Sequence, residues 1–204
     1  MAEAVDAPDR AGRRGEILDA AGRLFAERGI RETTVRGIGE QVGVLAGSLY
    51  YYFSTKQEIV HALMRPYVEE LLERYRVCVN SGGKARAQLE GLVRTALEAM
   101  LEHPHENAIL QRELDRMFAE AEFAYLQEAV ARIEEIYVDV IRAGVAEGDL
   151  RGDVEPRFLF RMIMDVVKGA AYWYDPSEHD VDRVTGTWWK VLGEGIDLPR
   201  GVSA

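Results

Sequence analysis

The fold class predicted by the sequence is all-α, a small three-helix head followed by a larger helical body. Three observations carry this. Apolar residues recur every three or four positions through most of the 204-residue chain, the spacing of one helix face. No segment reads as a strand, and only six prolines interrupt the pattern. The third is residues 33–56, TTVRGIGEQVGVLAGSLYYYFSTK, where two short helical runs flank a tight turn.

Taken in order, residues 1–12 hold Ala, Asp, Gly and Arg without periodicity and are expected to form a mobile arm. Residues 13–28 read as the first helix, with Ile17, Leu18, Ala21, Leu24 and Phe25 on one face and Gly29 ending it. Thr34 is suited to cap a second helix bearing Val35, Ile38 and Val42, which Gly43 stops by taking the left-handed conformation. Gly37 and Gly39 inside that helix each weaken it by ~1 kcal/mol unless packing requires them. On the third helix Leu45, Leu49 and Phe53 recur every fourth residue and are expected to face inward. That leaves Gly47, Ser48, Tyr50 and Tyr51 outward. A glycine permits close approach, and hydroxyls donate to phosphates or base edges, so this face suits a DNA major groove. The geometry is that of a helix-turn-helix.

From Lys56 a long helix carries Ile59, Val60, Leu63, Met64, Tyr67, Val68, Leu71, Leu72 and Tyr75 as one stripe, and Pro66 is expected to bend it. After Ser81-Gly82-Gly83, helices are expected over about 84–102, 106–117, 123–147, 156–174 and 180–196. The last two are broadly apolar. One carries Phe158, Leu159, Met162, Ile163, Val166, Val167, Ala170 and Trp173, the other Val181, Val184, Trp188, Val191 and Leu192. Either both faces close the body's own core, or they pair with the same helices of a second copy in a four-helix bundle.

These residues support a family resemblance. Ile17, Leu18, Ala21, Leu24, Phe25, Gly29, Thr33, Thr34, Val35, Ile38, Gly43, Val44, Gly47, Leu49, Tyr50, Phe53 and Lys56 stand at the spacing of the DNA-binding head of the TetR family of bacterial transcriptional regulators, which the stretch resembles. The resemblance implies a helix-turn-helix DNA-binding domain over 13–56 and a ligand-binding and dimerisation domain over 57–204. It makes Thr34 a phosphate contact, Gly47, Ser48 and Tyr50 groove contacts, Tyr51 and Tyr52 backbone contacts, and Lys56 a phosphate anchor. Arg36, facing the phosphates, and Leu45 and Ala46, opening the reading helix, complete the DNA-binding set. Ala46 departs from the family, where many members carry a basic residue, and removes a candidate base reader.

The implied function is that of a ligand-responsive repressor which binds a palindromic operator in double-stranded DNA as a homodimer. For the effector, Leu63, Tyr67, Met100, Leu110, Leu114, Met117, Phe123, Tyr137, Met162 and Trp173 are the large, adaptable side chains suited to an apolar pocket. Gln111, Arg112 and Arg116 add polar groups, and Arg112 and Arg116, on one face at i and i+4, are read as surface salt-bridge partners. GSLYYYF together with Trp173-Tyr174-Asp175-Pro176 resembles TetR-type repressors of lipid and steroid catabolism, whose effectors are acyl-coenzyme A thioesters. Generic amphipathic molecules, drugs among them, are the competing class.

The net charge of −10 opposes DNA binding only if it is evenly spread. Residues 1–56 hold eight Lys/Arg and eight Asp/Glu, so the whole deficit lies in residues 57–204, with seventeen against twenty-seven. Arg10, Arg13, Arg14, Arg36 and Lys56 remain to face a phosphate backbone. One cysteine, Cys78, excludes an internal disulfide and a multi-thiolate zinc site, and reads as a packing residue or a bystander. No apolar run is long enough to span a bilayer and no signal core opens the chain, so a cytoplasmic protein without membrane contact is expected.

No cofactor or metal is expected. The glycines of Gly37-Ile38-Gly39-Glu40-Gln41-Val42-Gly43 miss the dinucleotide spacing by one residue and follow no strand. His103 and His105 flank Pro104 in what reads as a solvated turn. No nucleophile elbow or carboxylate pair suggests an enzyme. The alternative to a regulator is a helical small-molecule binder that no longer acts on DNA.

Overall fold

The computed structural model describes residues 7–175 and 177–193, and these form helices joined by short turns, with no strand among them. The helices are α1 (Ala7–Arg28), α2 (Val35–Val42), α3 (Ala46–Leu49), α4 (Lys56–Asn80), α5 (Ala85–Glu102), α6 (Pro104–Phe118), α7 (Ala124–Ala146), α8 (Pro156–Trp173) and α9 (Val181–Trp188). A 3-10 turn, Ala121–Phe123, leads into α7, and a π-helical turn, Trp189–Gly193, continues α9.

Three boundaries differ from expectation, each for a local reason. α1 begins at Ala7, inside the segment expected as an arm. Pro8 falls in the first turn, where its missing N–H costs nothing, and Ala, Asp and Arg do not oppose a helix. Residues 1–6 of that arm lie outside the described residues. α6 starts at Pro104, not after His105, because proline at the first helical position is preorganised for it. α9 is α-helical only to Trp188, and 194–196 of the expected helix are not among the described residues.

The chain packs as two compact units. The described residues of Met1–Val68 and His103–Ala124 form one, and those of Glu69–Glu102 and Tyr125–Ala204 the other. The unit holding the helix-turn-helix is therefore larger than residues 13–56, since it includes the first part of α4 and all of α6. Its core includes Ile17, Phe25, Ile38, Leu49, Ile59, Met64 and Ile109, from α1, α2, α3, α4 and α6, with Phe53 from the turn after α3. α6 lies along α1. His103 and His105 are half-buried here, not solvated. The His103 ring is 5.5 Å from that of Tyr67, and a Cβ on Gly22 of α1 would sit 3.4 Å from the Cβ of His105.

In the second unit Tyr137 is fully buried, edge-on to Tyr75 at 5.6 Å and 5.4 Å from Phe160. Leu89, Leu92, Leu126, Ile141, Leu159 and Ile163 are among the other buried core residues of this unit. Burial pushes the Tyr137 phenol well above its usual pKa, with the Tyr75 phenol adding to the effect. Cys78 is a packing residue, its sulfur 2.6 Å from where a Cβ on Gly91 would lie, and burial raises its thiol pKa.

Gly144 of α7 leaves no room for a side chain, because a Cβ there would lie 2.5 Å from the Cβ of Ala85 and 2.7 Å from the Leu150 side chain. Gly144→Ala is therefore expected to destabilise the protein by ~1–3 kcal/mol through overpacking, more than the ~1 kcal/mol of helix propensity it gains. Gly15→Ala in α1, with nothing within 4 Å of its Cβ, should gain that propensity unopposed. Urea unfolding at matched protein concentration should move the two midpoints in opposite directions.

Candidate DNA-binding site

The helix-turn-helix is built by capping. Thr34 has extended backbone (φ −102°, ψ 149°), and its Oγ1 accepts the Gly37 N–H at 3.0 Å, starting α2. Gly43, at φ 70°, ends it in a Schellman motif, the Gly43 N–H reaching the Glu40 carbonyl and the Val44 N–H the Gly39 carbonyl at 2.9 Å. Packing does require Gly39, since a Cβ there would stand 2.8 Å from the Val44 carbonyl oxygen. The helix accepts a weak former so that the turn can fold tightly against it.

α3 is one α-helical turn. The Tyr51 N–H bonds the Ser48 carbonyl and the Tyr52 N–H the Leu49 carbonyl, so the chain tightens after Leu49. Leu49 and Phe53 are buried as expected. Leu45 is not. It is 81 % exposed, because it occupies the N-cap position with extended backbone (φ −68°, ψ 145°), ahead of the helical geometry that begins at Ala46, and so does not share the inner face of Leu49. Gly47, Ser48, Tyr50 and Tyr51 are exposed, while Ala46 and Tyr52 are partly covered, Tyr52 edge-on to Tyr51 at 5.4 Å. Thr34 and Arg36 are exposed, and Arg36 pairs with Glu40 at 2.9 Å. A solvent-exposed pair of this kind contributes little, so the guanidinium is readily exchanged to a phosphate. The Arg14 guanidinium lies 4.7 Å from the Phe53 ring centroid, joining α1 to the end of the reading segment.

Lys56 is engaged inside the unit. Its ammonium donates to the carbonyls of Ile30 (2.7 Å), Thr33 (2.8 Å) and Arg31 (3.3 Å), one acceptor for each of its three protons. A phosphate contact at Lys56 requires exchanging one of these bonds. Partial burial, with the Arg116 charge adding to it, lowers the Lys56 pKa from its ordinary value. The same loop is held from other sides. Buried Thr33 donates its hydroxyl to the Gly29 carbonyl at 2.8 Å, with the Leu24 carbonyl at 3.2 Å.

Two residues of α6 complete the clasp. Glu113 accepts the Ile30 N–H at 3.2 Å, and Arg112 donates to the Glu27 carbonyl at 3.1 Å and the Ala26 carbonyl at 3.5 Å. Arg112 thus caps the C-terminal end of α1, where a cation is favoured, and is not the surface salt-bridge partner expected. Arg116 is such a partner, lying 3.5 Å from Glu113 and 3.4 Å from Glu120. No local sequence signal marked Arg112 or Glu113, since their acceptors and donors lie some eighty positions earlier, at separations of 85 and 83 residues.

The residues expected to bind an effector divide between the units. In the first, Leu63, Tyr67, Met117 and Phe123 are buried and Leu110 and Leu114 half-buried, with the Phe123 ring 4.7 Å from that of His61. In the second, Met100 and Tyr137 are buried, whereas Met162 and Trp173 are 50 % and 54 % exposed. A cleft of about 380 Å³ in the second unit is lined by Glu70, Glu73, Arg74, Val77, Thr95, Glu98 and Glu102, none of the expected set. Arg74 spans it, pairing with Glu70 at 2.6 Å and with Glu102.

A capped helix-turn-helix on an all-helical chain defines a bacterial DNA-binding regulator, and the chain belongs to the TetR family. Residues 17–63 match the family described as bacterial regulatory proteins, tetR family, and residues 82–196 match the tetracyclin repressor-like C-terminal domain. The chain is 38 % identical over 198 residues to the HTH-type transcriptional repressor KstR2 of Rhodococcus jostii, covering 97 % of each. It is 37 % identical over 165 residues to the KstR2 repressor of Mycobacterium tuberculosis, covering 81 % of this chain and 82 % of the relative. The solved structure of the ketosteroid transcriptional regulator KstR2 of Mycobacterium tuberculosis superimposes with a TM-score of 0.86 at 34 % identity, covering 92 % of this chain and 96 % of that one. The protein is a transcriptional regulator, not an enzyme. No helix among the described residues is long and apolar enough to cross a membrane.

Lys56→Ala is expected to lower the stability of the protein by ~1–3 kcal/mol, the worth of hydrogen bonds to a charged group, because it leaves the Ile30 and Thr33 carbonyls without that donor. Tyr50→Ala removes an exposed side chain and should leave stability unchanged, yet weaken specific DNA binding by roughly 1–3 kcal/mol. Thermal unfolding and fluorescence anisotropy on the promoter fragment nearest the gene separate the two effects.

Proposed function

We propose that this chain represses genes of lipid or steroid catabolism, binding a palindromic operator as a homodimer and leaving it when an acyl-coenzyme A thioester with a bulky apolar acyl group occupies its ligand-binding domain. The observation that carries this is the extent of the likeness to the KstR2 repressors, which spans nearly the whole chain and so includes the part that senses as well as the part that binds DNA. The Trp173-Tyr174-Asp175-Pro176 element, whose Pro176 lies outside the described residues, adds to it. The DNA-contacting set is Thr34, Arg36, Leu45, Ala46, Gly47, Ser48, Tyr50, Tyr51, Tyr52 and Lys56. The residues beyond 56 bind effector and form the dimer, and the site of action is the cytoplasm.

Dimerisation through α8 and α9 is supported by the two-sided character of α8. Leu159, Phe160, Ile163, Val167 and Ala170 face the core of their own unit, while Phe158, Met162, Tyr172 and Trp173 are left exposed, Tyr172 at 87 %. Phe158, Met162, Val166, Gly169 and Trp173 follow at helical spacing, and a Cβ on Gly169 would meet nothing within 4 Å. An apolar stripe of this kind is costly in water and favourable against a copy of itself across a two-fold axis. Such a dimer sets two reading helices about one DNA turn apart, ~34–36 Å or a multiple.

Release follows from what holds the reading head. α4 runs on from the head unit, and Arg112 and Glu113 of α6 hold the end of α1 and the loop before α2. A ligand that shifts either helix moves α2 and α3 with it. To carry occupancy from 99:1 to 1:99 it must bind the released form better by ~5.5 kcal/mol.

Met162→Glu places a charge in the stripe and should give a monomer in sedimentation velocity, with helix content kept and affinity for a palindrome lost. A dimeric variant would put the interface elsewhere. In a gel shift on the promoter fragment, a polycyclic or long-chain acyl-coenzyme A should release the DNA at micromolar concentration where free coenzyme A does not. If no thioester changes DNA affinity, the sensing half of the proposal fails and the DNA-binding half survives.

A further inference from the structure

We infer that Leu45 is a specificity-determining residue which reads the 5-methyl group of a thymine in each operator half-site. The inference rests on the reading of α3 as the groove helix and deepens it. Leu45 stands at the N-cap of α3, the position where Ser, Thr, Asp or Asn would accept a first-turn N–H, and its side chain makes no such bond. Nor does it serve the core, being at 81 % the most exposed large aliphatic side chain among the unit's described residues, while Leu49 and Phe53 bury the segment's inner side. Leucine here forgoes the cap without packing in return, so the local fold does not account for it.

The groove does. Ala46 and Gly47, the next two residues, carry a methyl and a hydrogen, and a Cβ on Gly47 would meet nothing within 4 Å, so no bulk beside Leu45 holds the helix away from DNA. The leading edge of α3 therefore presents no hydrogen-bonding side chain before Ser48. In the major groove the one apolar group on the base edges is the thymine methyl, absent from cytosine, adenine and guanine. An aliphatic tip at the front of a closely approaching helix distinguishes a base pair there by covering that methyl. Polar readout is left to Ser48 and Tyr50.

The test uses the full-length protein and a duplex selected by it from a random-sequence library. Each thymine of that duplex is replaced singly by uracil, which lacks only the methyl, and affinity is measured by anisotropy. At one symmetry-related pair of positions the replacement should weaken binding by wild-type protein about fourfold per methyl, as expected for one buried methyl-sized group. Leu45→Ala and Leu45→Ser should bind the thymine and uracil duplexes alike, with unfolding midpoints no lower than wild type, the serine variant having regained a cap. Indifference of wild-type protein to every thymine-to-uracil change overturns the inference while leaving DNA binding by α3 intact. A uracil penalty that persists in both Leu45 variants also overturns it, assigning the methyl to another side chain. Failure to select any sequence would overturn it together with the reading on which it rests.

Discussion

The ammonium of Lys56 is enclosed by three carbonyls of the loop that follows α1, and the geometry of the DNA-binding unit depends on that enclosure. Residues 29–33 make no regular structure, so their polar backbone groups need partners from elsewhere. Lys56, at the first position of α4, supplies donors for three of them. The loop sets where Thr34 stands, Thr34 starts α2, and the Gly39–Val44 bond ties α2 to the turn before α3. One cation therefore links the end of α1, the start of α4 and, through a short capped path, the reading segment.

The same loop makes the head responsive. From α6, Glu113 holds the loop and Arg112 holds the end of α1 just before it, both through charge-assisted bonds, the first part-buried and the second exposed. Such contacts are strong when geometry is good and weaken steeply as it departs, so a small displacement of α6 changes what the head can adopt. The acidic excess beyond residue 56 belongs to the same division of labour. Among its carboxylates Glu58 and Glu113 serve the head unit itself, accepting the Ser54 and Ile30 N–H groups, and salt largely screens a carboxylate from a phosphate beyond about 8–10 Å.

α8 shows how one sequence pattern serves two ends. Its apolar residues exceed what a single helix face can hold, and the structure divides them into an inward row and an exposed row. Glu155 fixes the rotation of the helix at its start by accepting the N–H groups of Arg157 and Phe158, with Pro156 between. The inward row closes the unit, and the outward row, Phe158, Met162 and Trp173, is left exposed.

How much was legible in the sequence follows from the range of the forces involved. The helix order, the Thr34 cap, the Gly43 stop and the burial of Leu49 and Phe53 are local, decided by φ, by one side-chain bond and by spacing of three or four residues, and a sequence displays all of these. Leu45 was misread because a four-residue repeat was extended one step past the helix's start, where the backbone is extended. Pro104 reads as part of a turn between two histidines, yet its position makes it the first residue of α6. The tasks of Lys56, Arg112 and Glu113 were beyond any local pattern, since each depends on carbonyl or N–H groups that folding brings near from 23 to 86 positions away. The sequence by itself determined an all-α regulator with a helix-turn-helix head, because periodicity and capping are properties of neighbours in the chain. Only the tertiary structure decided which charges hold the head together, that α6 packs with it, and which row of α8 is left exposed, because burial and hydrogen-bond satisfaction are settled between segments that the chain order does not place side by side.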